Sequence, residues 1–251
     1  MKKHLSVFGL FARSSIFKVL VILLSMSIIE IAAFYFELQD AITSYQALGS
    51  NGLQMVSLEK IIDRSAINVY FRAALALITI ALCLPGCSFK SNTSYTLRRL
   101  SVSERATFAS QSVYNILAYM MLFAVQISVA FALSQYYVIS VPAECVSNQT
   151  VMLAFFRNDF LHSLLPLDEI GLWIRNVLLI VTLGLAAAEF PYKQRRKKFS
   201  AAAIGIITYI VVFFDRGIGD ISHLTVTVIV VSIILIEICY GLFAKEASAN
   251  D

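Results

Sequence analysis

The chain is poor in charge, in chain breakers and in the side chains that most often do chemistry. Of its 251 residues 14% are charged, and it holds only 3 histidines, 4 cysteines and 4 prolines. A soluble domain carries about 25% charged residues, so that class is excluded. None of the 10 glycines is followed by lysine, which removes the phosphate-cradling P-loop; nucleotide hydrolysis would have to take place on another subunit. His4, His162 and His223 are far apart and form no H-E-x-x-H zinc motif. Cys83 and Cys87 share a helical i, i+4 face, but no histidine or further cysteine lies near them, so they read as packing and not as a metal pair. No cofactor is expected. There is no internal repeat and no low-complexity tail.

What the chain has is apolar residues, 59% of the total, gathered into long runs. A helix needs about 20 such residues to cross roughly 30 Å of hydrocarbon. Six runs approach or meet that length: 16–36, 67–87, 113–134, 172–190, 199–214 and 224–243. They predict an all-α, polytopic membrane protein forming a single six-helix transmembrane domain over 1–251. The first run is too long for a signal-peptide core and no small-residue cleavage site follows it, so it is expected to stay as the first helix. Ahead of it, Leu5, Phe8, Leu10 and Phe11 beside Lys2, Lys3 and Arg13 predict a short N-terminal interfacial helix.

Orientation follows from lysine and arginine. Lys2, Lys3, Arg13, Lys18, Lys90, Arg98, Arg99, Arg105, Lys193, Arg195, Arg196, Lys197, Lys198 and Lys245 fall on one set of segments. Only Lys60, Arg64, Arg157, Arg175 and Arg216 fall on the other, and Arg72 lies inside a run. Both termini are therefore expected in the cytoplasm of a bacterial plasma membrane. The basic excess is a membrane-facing rim in contact with lipid, and nucleic acid is not a predicted partner.

The external segments carry amphipathic patterns. Met55, Leu58, Ile61, Ile62 and Ser65 recur at helical spacing, with charged residues between them. Over 151–165, Phe155, Phe156, Phe160 and Leu164 oppose Arg157, Asp159 and His162. Asp159 and His162 are spaced to interact on one helix. Pro166 ends that helix, and Asp168 can cap the next. Tyr136 and Tyr137 suit an interfacial belt. At the other end, 191–198 is the densest charge in the chain and reads as a positive-inside anchor loop.

Charges at membrane depth are costly and are usually paired or functional. Glu30 lies six residues before the outer end of the first run, and Arg72 five residues after the outer start of the second. At a rise of about 1.5 Å per residue the two share a depth, so a Glu30–Arg72 pair is expected. Glu189 and Glu237 lie nearer the cytoplasmic ends and can snorkel.

The segment 91–111, SNTSYTLRRLSVSERATFASQ, is the one polar loop with marks of built structure. Ser94 can cap a short helix bearing Leu97, Arg98, Arg99 and Leu100. Ser101-x-x-Glu104 then reads as a capping box opening a second helix that enters the third apolar run. Such a turn suits docking against a soluble partner.

The stretch 95–112, YTLRRLSVSERATFASQS, resembles the first cytoplasmic loop of ABC-2-type transporter permeases, nearest to six-helix permeases of Gram-positive anaerobes. In that family the loop is a coupling helix that docks into a groove on a separate ATP-binding subunit, and two permease halves work together. The resemblance implies docking roles for Leu97, Arg98, Arg99, Leu100, Ser103, Glu104 and Arg105. It implies the membrane-spanning subunit of an ATP-binding cassette exporter, not catalytic itself, partnered by an ATPase and a second permease subunit. Many relatives carry an external helical insert between helices five and six, where this chain has only a short turn over 215–220. Rival readings are an ion- or proton-coupled secondary transporter using Glu30, Arg72 and Glu237, a membrane enzyme built on Asp159 and His162, and a non-transporting scaffold or sensor.

Overall fold

The computed structural model describes residues 2–48, 55–85, 87, 103–195, 200–214 and 220–247. Every regular element among them is helical: α1 (Lys2–Leu48), α2 (Leu58–Arg64), α3 (Ile67–Cys83), α4 (Glu104–Ser140), α5 (Thr150–Arg157), α6 (Asp159–Leu164), α7 (Ile170–Arg195), α8 (Ala202–Phe213) and α9 (Asp220–Ala247), with a 3₁₀ turn at Ala143–Cys145. Each of the six apolar runs falls on a helix of its own.

The long helices alternate in direction. Phe8 meets Tyr114 and Tyr35 meets Tyr136, with ring centroids 5.8 and 6.5 Å apart, so α1 and α4 run parallel. Against α4, α3 runs antiparallel: Gln111 Nε2 donates to the Pro85 carbonyl at one end, and Phe71 meets Phe123 further along. The same holds for α7, through Phe108 with Tyr192 and Asn115 with the Gly184 carbonyl. Ala201 N–H bonds Glu237 and Tyr209 bonds Thr227, which sets α9 antiparallel to α8. α4 and α7 form the centre of the bundle: α4 packs on α1, α3 and α7, and α7 packs on α3, α4, α8 and α9.

By length and composition α1, α4 and α7 can each cross a membrane, and α2 with α3, bent by 49°, supplies a fourth span if the two count as one. α8 and the apolar part of α9, Leu224–Tyr240, are shorter. Phe17, Ile28, Phe36, Ile139, Ile170 and Tyr240 are largely exposed. So much outward apolar surface is foreign to a monomer in water and suits a hydrocarbon surround.

Several local expectations need correction. The N-terminal segment is not a separate interfacial helix: α1 runs on from Lys2 through the whole first apolar run. α4 starts at Glu104 and is capped by Ser103, whose Oγ accepts from Ala106 N–H at 3.3 Å. Glu104 is thus the first residue of the helix and not the third, so the capping box does not form around it. The basic stretch after 190 is not all loop, because α7 passes through Pro191 to Arg195. The amphipathic segment 151–165 is two helices, broken at Asn158. Asn158 is 2% exposed and has a reason to break them. Its Oδ1 caps Leu161 N–H, and its Nδ2 donates to Asp63 Oδ1 at 2.6 Å, tying α6 to α2.

Two backbone details set the packing. Ala66 stands at φ 53°, ψ 32°, the left-handed region, where it ends α2 and opens α3. Gly184 of α7 lies so close to α4 that a Cβ there would stand 2.9 Å from Ile116 N and 2.4 Å from Ile116 Cγ1. Small residues let helix backbones approach in this way, and Ala186, Ala187 and Ala188 beside it are fully buried.

Candidate functional site

The buried charged side chains among the described residues fall in three places in the bundle. At the end where α6 closes over the helices, Arg175 is only 2% exposed. Its Nη2 donates to Ser163 O at 2.9 Å, Nη1 to Phe214 O at 3.5 Å, and Nε and Nη2 both reach Asn176 Oδ1. Its guanidinium also covers the Phe214 ring at 5.2 Å. Ser163 lies in the last turn of α6, and Phe214 follows the last residue of α8, so the cation sits on the negative ends of two helices. Arg72 treats α8 alike: Nη1 donates to Val211 O at 2.9 Å, while Nε returns to Asn68 O. Beneath lies an aromatic cluster in which Phe71 packs against Phe123, Phe160 and Phe214, with centroids 5.4 to 5.6 Å away. Phe160 is thus the plug that α6 inserts into the bundle.

The second place is Glu30. It is fully buried, and its Oε2 accepts from Gln126 Nε2 at 3.1 Å. The expected Glu30–Arg72 ion pair is not among the contacts of the described residues; α4 offers Glu30 its donor, and α8 offers Arg72 its acceptor. Equal depth along two helices does not set which faces meet.

At the opposite end, Lys193 Nζ stands 2.8 Å from Glu189 Oε1 and 2.6 Å from Glu237 Oε1. Ser200 Oγ adds a bond to Glu189 Oε2 at 2.9 Å. Glu189 is fully buried, so it is clamped and does not snorkel.

His162 turns away from the sequence expectation as well. Its Nε2 lies 3.6 Å from Glu169 Oε1 and 3.8 Å from Asp168 Oδ1, and no ion pair joins it to Asp159 among the described residues. Donor atoms of His162, Asp168 and Glu169 fall within 4.8 Å of one another, the one grouping among the described residues with metal-ligand spacing. Tyr137 is buried, and its hydroxyl donates to Val56 O at 2.9 Å, so it pins the 55–57 segment; Tyr136 beside it stays exposed.

Of the residues expected to dock a partner, Leu97, Arg98, Arg99 and Leu100 lie outside the described residues. Ser103 caps α4, and Glu104 and Arg105 form its first turn. Gln111, two turns on, is buried and donates to the carbonyls of Leu82 and Pro85 at the end of α3. Between α1 and α4 an apolar groove of about 680 Å³ is lined by Ile28, Ile31, Ala32, Tyr35, Phe36, Ala132, Leu133 and Tyr136. Sequence reasoning missed Arg175, Asn158 and Gln111. For Arg175 a signal was present, an arginine one residue past a tryptophan–isoleucine pair at the start of an apolar run.

No family model, no curated protein and no solved structure matches this chain.

Proposed function

We propose that the chain is the membrane-spanning permease subunit of an ATP-driven exporter. In this reading its six apolar helices cross a bacterial plasma membrane with both termini inside, and the segment 91–111 docks on a separate ATP-binding subunit. The observation that carries the reading is the junction at Ser103. The segment before it is basic by sequence, Ser103 caps α4 directly after it, and α4 packs on α1, α3 and α7. A push on Arg105, in the first turn of α4, would pass directly into that helix, and Arg98 and Arg99 precede Ser103 by five and four residues in the sequence. Gln111 strengthens that route by holding the start of α4 to the end of α3. A second copy or a related permease would complete the pathway, as two ATPases closing together need two halves to move. The apolar groove beside α1 suits a lipid-like or apolar cargo.

The test is co-purification of the tagged chain with an ATP-binding partner encoded beside it. Arg98→Glu with Arg99→Glu is expected to release that partner while the membrane bundle still purifies as the same species. A partner that stays bound and fully stimulated would remove the docking assignment. Transport that follows a proton gradient and survives loss of the ATPase would favour a secondary transporter instead.

A further inference from the structure

Glu30 and Gln126 present an unfinished pair. Gln126 Nε2 donates to Glu30 Oε2 at 3.1 Å, which leaves Oε1 of each residue. Both of these oxygens are buried, and neither has a hydrogen-bond partner. Both are acceptors if Glu30 is ionised. Two acceptors without a donor, on hydrogen-bonded residues both 0% exposed, form an arrangement that burial penalises heavily. One proton resolves it. A carboxylic acid and a carboxamide are complementary: the amide N–H meets the acid carbonyl, and the acid O–H meets the amide carbonyl.

The surrounding elements offer no alternative counter-charge to Glu30 among the ion pairs of the described residues. On α3, Arg72 engages Asn68 O and Val211 O. On α4, the Tyr119 hydroxyl goes to Thr79 and that of Tyr137 to Val56 O. The charges of α2 are Glu59, Lys60, Asp63 and Arg64, of which Asp63 is bonded by Asn158. Within α1 the nearest charged residues along the chain are Lys18 and Glu37, each about two turns or more away.

We propose that Glu30 is a proton-binding site: a proton taken from water rests on Oε1 and is donated to Gln126 Oε1, closing a two-bond ring between α1 and α4. Protonation makes the ring and ionisation breaks one of its bonds, so proton release and separation of α1 from α4 are coupled. The inference stands whether or not an ATP-binding subunit docks on the chain.

Infrared difference spectroscopy of the full chain in lipid vesicles, with and without carbon-13 glutamate, tests this. At neutral pH the wild type should show a carbonyl stretch of a protonated carboxyl, and Glu30→Gln should lose it. Gln126→Leu should keep the band and move it to higher frequency, because the carbonyl loses its donor. Thermal stability supplies a second reading. Wild-type stability should fall as pH rises and the ring is lost; Glu30→Gln can form the same two-bond ring as an amide pair, so it should assemble normally and lack that fall. Identical band patterns in the wild type and Glu30→Gln would overturn the proposal. If Glu30→Gln fails to assemble, the Gln126→Leu shift decides alone, and an unmoved band overturns it.

Discussion

Lys193, in the last turn of α7, reaches Glu237 of α9 with Nζ 2.6 Å from Oε1. The same ammonium holds Glu189 one turn back, so a single cation offsets a fully buried carboxylate and ties two helices. Breaking a buried pair by removing one partner costs about 3–5 kcal/mol, because the other charge is left bare. Lys193→Met is therefore expected to lower thermal stability in detergent sharply. Adding Glu189→Gln should restore much of the loss. Glu237→Gln alone should cost far less, since Lys193 keeps Glu189.

Arg175 is among the largest buried side chains of the described residues. Arg175→Met should destabilise the bundle by on the order of 2–3 kcal/mol, the cost of acceptors left without donors. Arg175→Lys should rescue only part of this. A lysine keeps the charge but not the planar fork that reaches Ser163 O and Phe214 O together. Unfolding of purified protein, followed by circular dichroism, checks both variants.

Gly184 and Gly205 make a controlled pair. At Gly184 a methyl group would meet the Ile116 backbone, whereas at Gly205 nothing lies within 4 Å. Gly184→Ala should cost about 1–3 kcal/mol as α4 and α7 are forced apart. Gly205→Ala should stabilise α8 by roughly 0.5–1 kcal/mol through helix propensity alone. Equal melting shifts for the two would mean that the α4–α7 contact is not that close.

Ala66 holds a left-handed backbone with a Cβ attached. Ala66→Gly should stabilise the chain by up to about 1 kcal/mol, the relief of that steric cost less the extra freedom of glycine when unfolded. Ala66→Val should do the reverse. Melting temperature is again the measurement.

Much of this architecture was legible from residues taken one at a time. Each apolar run became a helix because length and hydropathy act locally, and Leu58, Ile61 and Ile62 turned inward as their spacing required. Ser103 shows the limit of local reading. Ser101 was expected to open α4, and Ser103 caps it, with an extended backbone at φ −60°, ψ 142° and its Oγ accepting from Ala106 N–H. Asn158 shows the same limit: its side chain caps Leu161 N–H, but its bond to Asp63 joins positions 95 residues apart.

The sequence by itself determined that the described elements are helical and where the apolar helices lie, and it sets a basic stretch before α4. Only the tertiary structure decided which polar groups meet inside. Glu30 found Gln126, His162 found Glu169 and Asp168, and Arg175 found the ends of α6 and α8. Helix formation follows from contacts a few residues away along the chain. Partnership between helices depends on their rotation and spacing, which close packing at places such as Gly184 and Ile116 sets.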